Sequence, residues 1–241
     1  MTPYIQSRGG MPGDVNMFAA MRGFEEMGFP CELFDSMGAL EDAGRGDVVV
    51  GGVGCVLARL ERLDCLPERI DYPEPLRPYL GRGVFTSSVG ALRKKAVPLP
   101  VFVKSAETKA FTGFVAHTER DLLRVAALDD DFPVICSEPV DFVQEWRCFV
   151  MRGRILDVRS YGDGWREAFD PGVIDAAVAA YEDAPAGYAA DFGVTRNGRT
   201  LLVEVNDGYS LGSYGLQRNL YAQLLSARWA ELTGTNDECE V

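Results

Sequence analysis

One histidine, His117, is present in the 241 residues, and that scarcity excludes more chemistry than any other feature of the composition. A zinc site built on several histidines is ruled out, and a Ser-His-Asp or Cys-His pair would have to rest on this one side chain. His117 stands directly before Thr118-Glu119-Arg120-Asp121, a helix N-cap pattern, and reads as a surface residue. Basic residues are also short: 24 Lys and Arg against 36 Asp and Glu leave a net charge of −12. Binding a phosphate backbone needs the opposite balance, so no nucleic-acid partner is expected, although a local basic pocket for a nucleotide stays open. No apolar run approaches the ~18 residues of a membrane-spanning helix. Residues 1–10 lack the basic start and apolar core of a signal peptide, so no membrane partner is expected and the expected location is cytoplasmic. The cysteines at 31, 55, 65, 136, 148 and 239 form no C-x-x-C pair and read as free thiols in a reducing compartment.

What remains is ordinary globular composition, with enough length for one large or two small domains. A short strand is expected over 3–6. Asp14 can cap a helix to about Met27, with Met17, Phe18, Met21 and Phe24 on one stripe and Gly28 as the stop. Strands over 31–34 and 47–50 follow, the second running into Gly51-Gly52-Val53-Gly54 and a helix through Leu63. This order suggests a small α/β unit with a largely parallel sheet. The glycine cluster lacks the spacing of a dinucleotide fingerprint and reads as a tight strand-to-helix turn. The proline-rich stretch 67–78 is the best candidate boundary, giving expected domains 1–75 and 76–241. Beyond it, strands are expected at 101–104, 109–116, 133–138, 142–151 and 155–161, the last two paired around a turn at 152–154. Helices are expected at 118–128, from Asp170-Pro171 to about 183, and at about 214–232 as an amphipathic helix. The class is α+β.

The most telling stretch is the hairpin 188–207, with Asn197-Gly198 at its turn. If those two residues form the turn, Arg196 faces Arg199, and five further steps put Asp191 opposite Glu204. Asn206 then lies on the same face as Glu204. Like charges directly opposite each other destabilise a sheet, and a cation between them relieves the conflict. Two carboxylates and an amide carbonyl are hard oxygen ligands suited to Mg²⁺. On the hairpin alone, a solvated face with diverging carboxylates is an equal alternative. Three other features bear on the choice. Lys104 and Lys109 flank a short loop and can neutralise phosphates as point charges. The strand ending at Ser137-Glu138-Pro139-Val140 is broken by a proline that frees backbone polar groups. Arg147 falls opposite Arg159 if residues 152–154 form the turn, and two facing arginines call for an anion between them.

Taken in order, these features resemble the ATP-grasp family of ligases over roughly residues 85–232, and most of all its compact, atypical branch with two arginines and a lysine in the active site. The matches are Phe102-Val103-Lys104 before a loop, Ser137-Glu138-Pro139-Val140 before Glu145-Trp146-Arg147, Ala190-Asp191-Phe192, and Glu204-Val205-Asn206. The resemblance implies two α+β subdomains with antiparallel sheets, preceded by a short α/β pre-ATP-grasp domain. It implies ATP and Mg²⁺ as cofactors, with Asp191, Glu204 and Asn206 holding the metal. Lys104 and Lys109 would meet the phosphates, Glu138 and the backbone at Val140 the adenine, and Glu145 the ribose. Arg147, Arg159 and Lys109 would serve the transfer itself. The activity implied is carboxylate–amine ligation through an acyl phosphate, with small-molecule or peptide acids and amines as partners. Alternatives on the same scaffold are a kinase and a non-catalytic nucleotide-binding module. Residues 209–215 read either as a Gly/Ser link into the last helix or as a loop of donors near the acceptor. Nothing in the sequence indicates an oligomeric state.

Overall fold

In the computed structural model, residues 1–107, 110–162, 164 and 166–240 are described. The chain forms two compact units, one built from residues 1–79 and 143–241, the other from 80–142.

The first unit begins with β1 (Tyr4–Arg8), β2 (Met11–Pro12), α1 (Val15–Glu26), β3 (Glu32–Phe34), β4 (Val49–Val50) and α2 (Val53–Arg62). Asp14 caps α1 as its sequence suggests, accepting a hydrogen bond from the Met17 amide. β3 and β4 both pair parallel to β1, and β2 turns back antiparallel on its end. The proline-rich stretch ends in a short 3₁₀ turn, Glu74–Tyr79.

The second unit carries β5 (Val84–Ser88), α3 (Val89–Arg93), β6 (Val101–Ser105), β7 (Phe114–Ala116) and β8 (Pro133–Ser137). Its sheet has the order β5-β8-β6-β7 and is antiparallel at every pair. A core of Val89, Val101, Val103, Val134 and Cys136 backs it. Neither β5 nor α3 is anticipated by the sequence reading. The helix expected over 118–128 is a 3₁₀ segment, Glu119–Val125, opened by a capping box between Thr118 and Asp121. His117 is exposed there, as expected.

The chain then returns to the first unit through β9 (Phe142–Met151), β10 (Arg154–Tyr161), α4 (Pro171–Ala180), β11 (Gly187–Thr195), β12 (Thr200–Asp207) and α5 (Arg218–Thr233). The second sheet of this unit has the order β10-β9-β11-β12. α5 starts four residues later than expected, because Tyr214 and Gly215 both adopt positive φ and interrupt the helix. It is buried around most of its circumference rather than amphipathic. Ile5, Phe24, Val49, Val50 and Leu60 share one core with Ala189, Leu224 and Trp229. Residues 1–79 therefore fold with the C-terminal half, and the contacts divide the chain differently from the expected 1–75 and 76–241. All six cysteines are free thiols.

Candidate active site

Two hairpins shape the site, and both reach the expected pairing by a route the sequence did not show. At the end of β11, the Thr195 carbonyl accepts from the Gly198 amide at 2.8 Å, and the Thr195 amide donates to the Arg199 carbonyl at 2.9 Å. Arg196-Asn197-Gly198 is thus a three-residue loop closed by a left-handed glycine (φ +79°), not a two-residue turn. A β-bulge at Val203 then absorbs one residue, and Asp191 pairs with Glu204. In the β9–β10 hairpin the departure has the opposite sense. The turn is the two residues Arg152 and Gly153 (φ +50° and +73°), and a bulge at Leu156 restores Arg147 opposite Arg159.

The side chains of Asp191, Glu204 and Asn206 converge. Asn206 Nδ2 donates to Asp191 Oδ2 at 2.9 Å and to Glu204 Oε1 at 3.5 Å. Across the sheet from β9, Arg147 donates to the same carboxylate in bidentate fashion, Nε to Oδ1 at 2.7 Å and Nη2 to Oδ2 at 2.6 Å. Both partners are buried, Arg147 at 6% and Asp191 at 3% exposure. Arg159 pairs instead with Asp157 on its own strand, at 2.5 Å. The two facing arginines coexist because each has its own carboxylate. Burial raises the Asp191 carboxyl above its ordinary value and the Glu204 carboxylate pushes the same way, while Arg147 and Asn206 pull against them. Arg147 is lowered by burial but raised further by Asp191, so it stays cationic.

Two tyrosines cover the guanidinium. Arg147 Cζ lies 4.7 Å from the ring centroid of Tyr214 and 5.6 Å from that of Tyr161. The two rings meet edge to face at 4.8 Å. Burial and a hydrogen bond to Tyr214 push the Tyr161 hydroxyl up to about 12. Neither tyrosine is among the residues singled out from the sequence. Tyr161 carried a usable signal, since it shares a strand face with Arg159; Tyr214 carried none.

Asp207, one residue past Asn206, turns to the other side and is held by Arg228 of α5 through two hydrogen bonds of 2.7 Å. Among the described residues, no cluster of three or more His, Cys, Asp and Glu is placed for a metal ion. The candidate set here is two carboxylates and an amide. Its donors fit a hard divalent cation: a carboxylate has about four lone-pair sites, so Asp191 retains acceptor capacity beyond its bonds to Arg147 and Asn206. Turning the Asn206 amide over would exchange its NH₂ for a carbonyl oxygen.

Of the other expected residues, Glu145 is half-buried on β9, opposite Tyr161 of β10. In the second unit, Lys104 lies on β6 opposite Ile135 of β8. Glu138 is exposed just past β8, its Oε2 accepting from the Gly83 amide at 3.0 Å. Val140 is half-buried in the link to β9. Lys109 lies outside the described residues.

This arrangement sits in a chain whose residues 79–224 match the family described as ATP-grasp domain, R(2)K clade family 2. The chain belongs to the ATP-grasp family. Comparison with curated proteins gave no match. Among solved structures, the N5-carboxyaminoimidazole synthetase from Staphylococcus aureus is similar at TM-score 0.60 and 13% identity, over 94% of this chain and 77% of that one. The D-cycloserine synthetase DcsG is similar at 0.59 and 16%, over 95% and 100%. The D-alanine–D-alanine ligase from Bacillus anthracis is similar at 0.57 and 13%, over 96% of each chain. At these identities the likeness is one of fold, and the α+β ATP-grasp fold read from the sequence is the fold observed. No helix among the described residues is long and apolar enough to cross a membrane.

Proposed function

We propose that this ATP-grasp protein is an ATP- and Mg²⁺-dependent ligase that joins a carboxylate to an amine and releases ADP. The observation that carries the reading is the convergence of Asp191, Glu204 and Asn206 beside a buried, tyrosine-covered arginine. Phosphoryl transfer asks for positioning and charge neutralisation rather than a histidine base or a protein nucleophile. A chain with one exposed histidine suits that demand.

In this reading an acid's carboxylate oxygen attacks the γ-phosphorus of ATP and ADP leaves. The amine nitrogen then attacks the acyl carbon, phosphate departs, and the amine proton passes to solvent. Bound Mg²⁺ draws charge from the phosphate oxygens. Asp191, Glu204 and Asn206 hold it. Lys104 and Lys109 neutralise the phosphates, Glu138 and the Val140 backbone recognise adenine, and Glu145 holds the ribose hydroxyls. Arg159 and the Nη1 edge of Arg147, the guanidinium nitrogen not spent on Asp191, steady the transferring group or a substrate carboxylate. Residues 1–75 contribute to the acceptor side. The partners are small-molecule or peptide acids and amines, and the six free thiols suit a reducing, cytoplasmic setting.

The test is ADP release from Mg·ATP against pooled amino acids and peptides, with mass spectrometry of the products. A mass equal to acid plus amine minus water is expected, and Glu204→Gln abolishes it while the protein stays folded. A phosphorylated acceptor without condensation would replace the ligase reading with a kinase. Near wild-type turnover in Glu204→Gln would remove the metal assignment.

A further inference from the structure

The loop between β12 and α5 has no role in the chemistry above, yet it is the most tightly anchored irregular segment of the first unit. Ser210 Oγ donates to the Gly51 carbonyl at 2.7 Å, at the turn between β4 and α2. Ser213 donates twice to Asn16 Oδ1 on the first turn of α1, from its amide at 2.9 Å and its hydroxyl at 3.1 Å. Tyr221 of α5 donates its hydroxyl to the Leu211 carbonyl at 2.6 Å, and the Leu216 amide donates to the Ser213 carbonyl at 2.8 Å. Three separate elements therefore clamp five residues.

Held at the centre of this clamp is Tyr214, in a left-handed backbone conformation (φ +43°) that an aromatic residue rarely adopts. Such strain persists only where the surroundings enforce it, and it collects at functional positions. Its ring is directed by the same loop. A Cβ at Gly212 would come within 2.7 Å of Tyr214 Cε2, so the ring lies across a position that only glycine leaves open. The ring face that results covers Arg147 at 4.7 Å, the nearer of its two aromatic contacts.

From this geometry we infer that Tyr214 is a positioning residue: it fixes the plane of the Arg147 guanidinium against Asp191, and through that carboxylate it sets the face on which Glu204 and Asn206 converge. The fork of Arg147 is productive only in one plane, because both of its bonds end on the same carboxylate. Tyr161 alone does not define that plane, since it lies farther from Cζ and its own edge rests on Tyr214. The consequence for metal and nucleotide rests on the function proposed above; the consequence for Arg147 does not.

The first measurement is accordingly free of ligand. The Arg147 Nε–H resonance, assigned by its loss in Arg147→Lys, is followed for hydrogen exchange in the wild type, Tyr214→Phe, Tyr214→Leu and Gly212→Ala. Slow exchange is expected in the wild type and in Tyr214→Phe, which keeps the ring. At least tenfold faster exchange is expected in Tyr214→Leu and in Gly212→Ala, which displaces the ring without altering it. A folded Tyr214→Leu protein with unchanged exchange overturns the proposal, as does a Tyr214→Phe protein that loses protection as fully as Tyr214→Leu. The second measurement is calorimetric titration with AMP-PNP, with Mg²⁺ and with EDTA. Tyr214→Leu weakens the Mg²⁺-dependent binding about tenfold and leaves the EDTA titration unchanged. If the wild type binds no nucleotide, the proposed function fails while the exchange result still decides the role of Tyr214.

Discussion

Arg147→Met removes both donors from Asp191 and keeps an unbranched apolar stem in their place. Asp191 then retains only the Asn206 amide, at 3% exposure and with Glu204 directly opposite. Breaking a buried ion pair by deleting one partner costs about 3–5 kcal/mol, because the remaining charge is left without compensation. For a protein of this size each kcal/mol moves the midpoint by about 2–4 °C, so a fall in Tm of about 6–20 °C is expected. The sign of the pH dependence follows from Asp191. Its carboxyl is already raised by burial, and Arg147 is the main influence pulling it down. Without Arg147 it rises further. A carboxyl with a raised folded value favours the fold fully below its unfolded value, and that stability is lost as pH climbs through the folded value. The deficit of Arg147→Met is therefore smaller at about pH 5 than at about pH 8. Thermal and urea unfolding at both pH values measure it, and adding Asp191→Leu should recover most of the loss. A single-variant cost under about 1 kcal/mol, or a double variant no more stable than the single, refutes the reasoning.

Two further predictions concern the frame. Gly23 on α1 faces the start of α5 so closely that a Cβ would stand 2.0 Å from the Arg218 carbonyl oxygen. Gly23→Ala should therefore destabilise the first unit by about 1–3 kcal/mol, read by urea unfolding, and an unchanged midpoint would show that the two helices are free to part. In the second unit, hydrogen bonds from the Thr118 amide and hydroxyl and the His117 amide lower the Asp121 carboxyl. A lowered carboxyl supports the fold above its unfolded value and loses that support as pH falls through the folded one. The amides of His117 and Thr118 should accordingly lose protection from exchange below about pH 4, and in Asp121→Asn that acid dependence should disappear.

The sequence made the site legible wherever a short-range rule applied. Asp14 and Asp170 mark helix starts because a side chain of the right length reaches amides two or three residues on. Pairing of Asp191 with Glu204 was also readable, though by a count that missed twice and recovered: the turn holds one residue more than Asn-Gly suggests, and the Val203 bulge returns it. Bulges leave no local signature, so strand counting across them succeeds only when turn and bulge offset each other. The long-range contacts were out of reach. Facing arginines and facing carboxylates each called for an outside ion, yet much of the answer was internal, because β9 and β11 are neighbours and Arg147 meets Asp191. Sheet order of that kind is decided by the packing of the whole unit. The same is true of the shared core that draws Ile5, Phe24 and Leu60 to Trp229.

Val205 lies between Glu204 and Asn206 on β12, and its amide donates outward, to the Asp71 carbonyl at 3.0 Å. β12 is the last strand of its sheet, so the proline-rich segment covers a border that would otherwise offer a template to any extended chain. Anyone trimming this protein to a minimal nucleotide-binding fragment by cutting after residue 75 would uncover that border along the strand that bears Glu204 and Asn206. Such a fragment should self-associate through it, whereas one that keeps residues 67–78 but lacks the segment before them would still have its border closed.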